Sequence, residues 1–237
     1  NALKATLISP ESLLGLGSSL LSPLTGGPQV VARQAWGADE SIRCSQPVYS
    51  PQMRGAIVHH TAGSNDYSAG QSASIVRGIQ YYHEVTLGWC DIGYNFLVDR
   101  FGRIWEGRAG GVDRPVVGAH TLGYNDYAFA MSAIGNFDTA RPSQEMLRAY
   151  GRLMGWKLSL HGVDAASTSQ RIGDRTFQAI NGHRDAGSTA CPGRYLYAQL
   201  PAIRRYAKAA QRSWAGRQLE SDLASTAFPD IVVRRKS

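Results

Sequence analysis

A short apolar run in the first third of the chain indicates how the fold is organised. Residues Arg54–Thr61 have the sequence RGAIVHHT, and the turn-forming segment Ala62–Asn65 follows them directly. A β-rich run of this length that ends in such a segment predicts a central strand leading into a loop. Because side chains alternate along a strand, His59 and His60 should lie on opposite faces of the sheet. We therefore expect only one of them to face a given metal ion.

Beyond this strand, helix-like and strand-like patterns alternate. In chain order, periodicity and capping signals predict a helix at 72–85, a hairpin at 88–108, a strand at 131–134, a helix at 142–161, a strand at 177–181 and a helix at 196–214. His83 falls on the apolar face of the first helix, which favours a packed histidine over a metal ligand. Strands interleaved with helices predict an α/β fold with a central mixed β-sheet flanked by helices on both faces.

We expect a single domain at residues 29–215, preceded by an N-terminal arm or linker at 1–28 and followed by a C-terminal tail at 216–237. The arm mixes Leu with Ser and Gly and ends at Gly26-Gly27-Pro28, which is typical of a linker. Its most apolar part, at 12–24, is too short and too interrupted to cross a bilayer, so we expect no transmembrane span. The chain begins at Asn1, from which we expect processing, with a removed signal peptide as one explanation.

The composition is that of a folded, enzyme-sized protein. Of the 237 residues, 43% are hydrophobic and 18% are charged, and the formal net charge of +7 favours anionic partners. The basic residues are scattered except for Arg234-Arg235-Lys236, and no nucleic-acid-binding motif accompanies them. This pattern disfavours nucleic acid and makes anionic wall polymers or a membrane surface the better candidates, with a basic face that is merely solvated as the default alternative.

The three cysteines, Cys44, Cys90 and Cys191, leave the redox compartment open. One disulfide and one metal-bound thiolate would suit an oxidising compartment outside the cytoplasm. Free thiols would suit the cytosol equally well, so the count alone does not decide between the two.

Five motifs occur in a fixed order along the chain. They are VHHT at 58–61, GWCDIGYNF at 88–96, GRIWEGR at 102–108, GAHTLGYN at 118–125, and GHRD at 182–185 with CPG at 191–193. In these motifs the chain resembles the peptidoglycan recognition protein and type 2 amidase family of zinc N-acetylmuramoyl-L-alanine amidases. The resemblance covers roughly residues 30–210 and neither end. It implies a mixed sheet flanked by helices, with the metal at the floor of a groove that accepts the peptide stem of peptidoglycan.

The resemblance places the family's three zinc ligands on His59, His183 and Cys191. Two imidazoles and one thiolate would hold one zinc ion and leave its fourth tetrahedral position open, as in zinc sites that activate water. The spacing between His183 and Cys191 fits no general zinc motif, so this ligand set depends on the resemblance.

Two catalytic residues are implied in the same way. The family's tyrosine falls on Tyr94, whose phenol would donate a hydrogen bond to the oxyanion that forms at the amide carbonyl. The alternative is a buried strand tyrosine that bonds the backbone. Where phage members of the family carry a catalytic lysine, this chain has Thr189, whose hydroxyl would hydrogen-bond the intermediate or the water.

Five further positions match residues that line or border the family's substrate cleft. They are His60, Trp89, Arg108, His120 and Asn125. Their types suit sugar stacking, carboxylate pairing and amide recognition. These residues also have purely structural interpretations: packing against the sheet or core for His60 and Trp89, a surface ion pair for Arg108 and a turn for Asn125.

With Cys191 assigned to zinc, Cys44 and Cys90 remain for a disulfide. Such a bond would tether the segment 30–50 across the groove wall, next to the strand that bears Tyr94, and would indicate export.

The implied function is hydrolysis of the amide between the lactyl group of N-acetylmuramic acid and L-alanine. We expect a monomeric enzyme, secreted, periplasmic or associated with the cell wall, that acts on peptidoglycan or muropeptides. The alternative is a recognition module of the same fold that binds these ligands without hydrolysing them. A purely structural zinc site in an unrelated hydrolase would require a fourth protein ligand.

Overall fold

The structure of the chain, a computed structural model, describes residues 21–22 and 27–226, with side chains described for 27–215. Most of the expected arm and part of the expected tail lie outside these residues. The centre is a seven-stranded sheet of order β1-β2-β5-β4-β6-β3-β9. Its strands are β1 (Leu21–Ser22), β2 (Val30–Val31), β3 (Gly55–His60), β4 (Phe96–Val98), β5 (Ile104–Glu106), β6 (Ala128–Ala133) and β9 (Ile180–Gly182). Strands β7 (Gln170–Ile172) and β8 (Arg175–Phe177) form a separate antiparallel hairpin.

Strand directions make the central sheet mixed. β3 pairs in parallel with β6 along its whole length and with β9 over three residues. β4 is parallel to β6 and antiparallel to β5, while β2 is parallel to β5 and antiparallel to β1. Every residue of β3 is buried, because this strand has a neighbour on each side and is covered on both faces.

Six helices surround the sheet in the described part of the chain. They are α1 (Arg33–Trp36), α2 (Ser72–Tyr81), α3 (Gln144–Leu160), α4 (His183–Ala186), α5 (Arg194–Tyr197) and α6 (Leu200–Thr226). A 3-10 turn at Ala69–Gln71 precedes α2, and a π turn at Tyr82–Thr86 continues it. The Ser143 hydroxyl caps α3 by accepting from the Met146 N–H at 3.1 Å, near the predicted start of the helix at residue 142.

Side-chain alternation divides the core into two layers. Phe96 and Val98 belong to the layer formed with helices α3 and α6, whereas Leu97, between them, belongs to the layer formed with Trp36 and with Val76 of α2. Helices therefore cover both faces, and the expected α/β fold with a central mixed sheet is confirmed. Among the described residues, no helix is both long enough and apolar enough to cross a bilayer.

A lysine lies inside the larger layer. Lys157 of α3 is 1% exposed, and its Nζ donates to the carbonyl oxygens of Val112 at 2.7 Å and Arg114 at 2.6 Å. Burial lowers the pKa of this amine to about 7, opposed by the charge of Asp113. The side chain thus anchors the 112–114 loop against the sheet as a donor that is about half protonated at pH 7.

Element ends account for the differences from the predicted pattern. The strand expected at 131–134 begins already at Ala128, and the strand expected at 177–181 is divided between β8 and β9. The last helix is divided into α5 and α6, and α6 continues to Thr226. The apolar stripe on which the prediction was based ends at Trp214, but helix-favouring residues such as Ala215, Gln218 and Leu219 follow it and the helix continues.

Candidate metal centre

Two parallel strands bring the first two candidate ligands together. β3 and β9 lie side by side with Val58 opposite Gly182, so the next residue of each strand, His59 and His183, emerges at the same edge of the sheet. His183 begins the one-turn helix α4 immediately after β9. The chain then turns back through a loop to Cys191, whose carbonyl oxygen accepts from the Arg184 N–H at 3.0 Å. Ligands that are distant in sequence thus meet at the carboxyl ends of adjacent strands.

The three ligand atoms of His59, His183 and Cys191 all lie within 4.8 Å of one another. The Cys191 Sγ is 3.6 Å from the His59 Nδ1, and the two histidine ring centroids are 4.5 Å apart. Tetrahedral zinc with ordinary bond lengths to nitrogen and sulfur separates such a pair of atoms by about 3.6 Å. The donor set and the observed spacing therefore fit a zinc ion.

In the described part of the chain, no fourth histidine, cysteine, aspartate or glutamate joins this cluster. The His120 ring is near, with its centroid 5.3 Å from that of His59, but both of its nitrogens already have partners. A zinc ion held by these three residues would therefore keep one tetrahedral position that no other described histidine, cysteine or carboxylate side chain reaches.

The protonation states of the ligands suit metal uptake. Burial lowers the pKa of His59 well below its usual value, and burial also lowers that of His183, so both imidazoles are neutral near pH 7. Burial raises the pKa of the Cys191 thiol to about 11, opposed by the His60 backbone N–H, which points at the sulfur from 3.4 Å. A cation must therefore displace the thiol proton, and that backbone N–H is already placed to stabilise the thiolate.

Tyr94 lies beside this cluster. Its ring centroid is 5.3 Å from that of His59, and the residue precedes β4 by two positions instead of opening the strand. Burial, together with the nearby Cys191 sulfur, raises the pKa of the phenol to about 12. The hydroxyl therefore keeps its proton at neutral pH and is available as a hydrogen-bond donor at the edge of the cluster.

The family model for N-acetylmuramoyl-L-alanine amidase matches residues 49–194, a range that contains all three candidate ligands. This chain belongs to the N-acetylmuramoyl-L-alanine amidase family. Peptidoglycan-recognition protein SC2 of Drosophila simulans is 32% identical to it over 176 residues, which cover 73% of this chain and 85% of that protein. Peptidoglycan recognition protein 1 of Bos taurus is 33% identical over 198 residues, which cover 82% of this chain and 93% of that protein.

Solved structures of this amidase family have the same fold. Wild-type Drosophila PGRP-LB superposes with a TM-score of 0.59 at 28% identity, covering 72% of this chain and 91% of its own. Peptidoglycan recognition protein-LE, in complex with tracheal cytotoxin, superposes with a TM-score of 0.61 at 28% identity, covering 73% and 92%. The family resemblance inferred from the five motifs is therefore confirmed.

From Tyr94, aromatic rings continue outward to the surface of this amidase-family fold. The His83 ring lies between Tyr94, at 5.5 Å, and Trp89, at 4.7 Å, and its Nδ1 accepts from the Gly93 N–H at 3.1 Å. His83 is thus the packed histidine that its helical position predicted. Trp89 is 39% exposed and ends the row of rings at the protein surface.

The other candidate substrate residues differ in how accessible their polar groups are. Arg108 is half-buried and donates to the Ile92 carbonyl at 3.0 Å. His60 lies on the opposite face of β3 from His59, as alternation predicted, and its Nδ1 accepts from the Phe137 N–H at 3.1 Å. His60 is largely buried, and burial lowers its pKa.

The remaining candidates organise backbone. Asn125 accepts from the N–H groups of His120 and Thr121 at 2.9 and 2.8 Å through its side-chain oxygen, the bonding of a turn residue. The exposed Thr189 accepts from the Cys191 N–H at 3.2 Å, which helps to hold the loop that carries the candidate thiolate.

His120 is buried inside the fold, beneath the ring of His59. Its Nε2 lies 3.1 Å from the Ala128 carbonyl oxygen and its Nδ1 lies 2.9 Å from the Thr121 hydroxyl. Burial lowers the pKa of this ring to about 3, so it is neutral. Gly118 makes room for it, because a Cβ there would lie 2.4 Å from a His120 ring carbon.

Cys44 and Cys90 form the expected disulfide next to Trp89. Arg33 reinforces this wall: its guanidinium contacts Asp91 at 3.0 Å and Glu40 at 2.7 Å and also donates to the Gly107 carbonyl. Although burial acts to lower it, these carboxylates raise the pKa of Arg33 above its usual value. One covalent bond and one buried ion pair thus attach the 33–44 segment to the strand region that bears Tyr94.

Sequence reasoning missed Thr121. Its hydroxyl lies 3.2 Å from the His59 Nε2, and the residue is 2% exposed. The signal was present in the GAHTLGYN motif, where a small hydroxyl residue directly follows His120, but only the three-dimensional path of that loop places it under the candidate ligand.

Proposed function

We propose that this chain is a zinc-dependent N-acetylmuramoyl-L-alanine amidase that hydrolyses the amide between the lactyl group of N-acetylmuramic acid and L-alanine in peptidoglycan. The observation that carries the proposal is the cluster of His59, His183 and Cys191, which supplies three protein ligands and, among described residues, no fourth. A recognition protein that only binds its ligand has no use for an open coordination position.

Zinc held by these residues would supply Lewis-acid polarisation of the scissile carbonyl and an activated water molecule. The chain's own groups prepare for this chemistry. The His60 N–H would stabilise the negative charge on Cys191. The half-buried phenol of Tyr94 stays protonated, and its O–H would hydrogen-bond to the carbonyl oxygen of the substrate as that oxygen becomes an anion. The Thr189 oxygen accepts from Cys191, so its own O–H is free to donate to the reacting group.

For the substrate groove, we propose that Trp89 and Arg108 contact the muropeptide, because Trp89 is exposed at the end of the row of rings that begins at Tyr94, and the Arg108 N–H donates to the Tyr94 carbonyl at 2.9 Å. Trp89 would stack on an apolar face of the ligand, and the Arg108 cation would pair with a carboxylate of the stem peptide. His60 would line the opposite side of the cluster. His120 and Asn125 would shape the groove through the loop that they organise.

We further propose that the protein works as a monomer outside the cytoplasm, either secreted, periplasmic or associated with the cell wall, and that its partners are peptidoglycan or muropeptides. The Cys44–Cys90 disulfide supports export, since such bonds persist in oxidising compartments. The structure of a relative in complex with tracheal cytotoxin, a monomeric diaminopimelic acid-type peptidoglycan, supports the ligand class.

Recognition without hydrolysis is the second candidate function. The relatives named above are peptidoglycan recognition proteins, and this observation favours binding of the same ligand class. In that case Trp89 and Arg108 would keep their roles, and Tyr94 would serve only as a packing residue.

One experiment separates the two functions. Metal-free protein is titrated with zinc in the presence of a purified muropeptide, and the products are identified by mass spectrometry, with Cys191→Ala as the matched control. An amidase releases a peptide that begins with L-alanine, in proportion to zinc and only from the wild type. Tight muropeptide binding with no released peptide at full zinc loading would establish the recognition function instead.

A further inference from the structure

Four groups form a continuous chain of hydrogen bonds that ends at the candidate metal centre. The Ala128 carbonyl oxygen lies 3.1 Å from the His120 Nε2, and the His120 Nδ1 lies 2.9 Å from the Thr121 Oγ1. The same Oγ1 lies 3.2 Å from the His59 Nε2. On the other side of that ring, the His59 Nδ1 faces the Cys191 sulfur at 3.6 Å.

The direction of every bond in this chain follows from its first member. A carbonyl oxygen only accepts, so the His120 Nε2 must carry a hydrogen. In a neutral imidazole the other nitrogen then has none, so the His120 Nδ1 accepts the single hydrogen of the Thr121 hydroxyl. Because the Thr121 hydroxyl already donates its only hydrogen to His120, it can only accept from the His59 Nε2–H. The His59 Nδ1 is left with a free lone pair directed at the metal position.

The surroundings fix this arrangement. His59 is 1% exposed, Thr121 is 2% exposed and His120 is 9% exposed, so water does not compete for these bonds. In the described part of the chain, no carboxylate hydrogen-bonds to the His120 ring, which keeps that ring neutral. Ala128 belongs to β6, a strand in the same sheet as β3, so both ends of the chain of bonds are anchored in one rigid element.

We propose that His120 and Thr121 are positioning residues that set the tautomer of His59 before any metal arrives. Histidine ligands bind metals more tightly when their second nitrogen is held by a hydrogen-bond partner. Here the partner is a hydroxyl whose own direction is set by a second, buried histidine. This inference rests on the proposed zinc site, but the tautomer it assigns exists in the metal-free protein and does not depend on hydrolysis.

The first test therefore uses metal-free protein. Two-dimensional NMR spectra that correlate imidazole nitrogens with ring protons report which nitrogen of each histidine carries the hydrogen. We expect the Nε2–H tautomer for both His59 and His120. A hydrogen on the Nδ1 of either ring would overturn the proposal, whatever the protein's activity.

The second test measures zinc affinity by competition with a chromophoric chelator. Thr121→Val removes the hydroxyl at nearly constant shape, and Thr121→Ser keeps it as the matched control. We expect Thr121→Val to weaken zinc binding by about 10- to 100-fold and Thr121→Ser to stay within about threefold of the wild type. Thermal unfolding of both metal-free variants shows whether they are folded. If Thr121→Val is unfolded, the zinc affinity of Thr121→Ser is compared with that of the wild type instead.

The outcomes of the second test are separable from those of the proposed function. Equal zinc affinity in the wild type and a folded Thr121→Val variant would overturn the positioning role. So would a Thr121→Ser variant that binds zinc as weakly as a protein without the hydroxyl. The expected affinities and tautomers, found in a protein that releases no peptide from muropeptides, would leave the positioning role standing and defeat only the amidase proposal.

Discussion

Removing the disulfide should destabilise the protein without disturbing the candidate metal centre. The perturbation is the double substitution Cys44→Ala and Cys90→Ala, which leaves Cys191 in place. The two cysteines are 46 positions apart in sequence. Loop-closure entropy for a crosslink of that span amounts to about 4 kcal/mol at 25 °C, because the intact bond restricts the unfolded chain. Cys44 is exposed, so the loss of its sulfur leaves no deep cavity to add to this figure.

The folded state should keep its geometry in this variant. The backbone hydrogen bond from the N–H of residue 44 to the carbonyl of residue 90, which is 3.2 Å long in the wild type, does not involve the sulfur atoms, and the Arg33–Asp91 ion pair joins the same two segments. A loss of about 4 kcal/mol in a protein of this size lowers the melting temperature by about 8–16 °C. The assay is thermal and denaturant unfolding of both proteins under non-reducing conditions, with zinc affinity as the control for native structure.

Two results would refute this reasoning. A loss of unfolding free energy below about 1 kcal/mol would mean that the crosslink does not restrict the unfolded chain as the loop length requires. Three alkylatable thiols in the non-reduced, air-exposed wild type would mean that the bond is absent from the protein in solution.

Two further changes test separate parts of the account. Tyr94→Phe should bind muropeptide as the wild type does but release peptide at least about a hundredfold more slowly, because it lacks the hydrogen-bond donor for the oxyanion. Calorimetry measures the binding and steady-state kinetics measure the turnover. An unchanged turnover would assign Tyr94 a structural role. Burial lowers the pKa of Lys157 from 10.5 to about 7. Between pH 7 and pH 10.5 the amine therefore carries a proton in the unfolded chain but has lost it in the folded chain. In this range Lys157 makes the free energy of unfolding rise with pH. The difference in unfolding free energy between the wild type and Lys157→Met should therefore grow by about 2 kcal/mol from pH 7 to pH 9, and a difference independent of pH would show that the amine stays charged.

Local patterns predicted the elements well. The apolar run at 54–61 is the central strand β3, and Ser143 caps α3, because each of these features depends on neighbours in sequence. The opposite orientation of His59 and His60 followed from strand alternation alone. The end of α6 was missed because residues that favour helix continue beyond Trp214, where the predicted helix ended.

The candidate site needed information that local patterns lack. His59 and His183 meet only because β3 and β9 are parallel neighbours in one register, and Cys191 joins them through the loop after α4; rules based on sequence spacing contain neither relation. The family resemblance supplied that ligand set. It also matched His120 to the substrate cleft, which stays a prediction; the structure adds that this ring is buried and that both of its nitrogens have partners. Neither its burial nor its partners could be read from the motif, because they are properties of the folded chain.

X-ray absorption at the zinc edge, on metal-loaded wild-type protein, shows whether His59, His183 and Cys191 hold the metal together. We expect one zinc per chain, bound by two imidazole nitrogens, one sulfur and one further light atom that does not come from the protein. A spectrum without the sulfur, or one in which a third imidazole or a second sulfur completes the coordination, would contradict it.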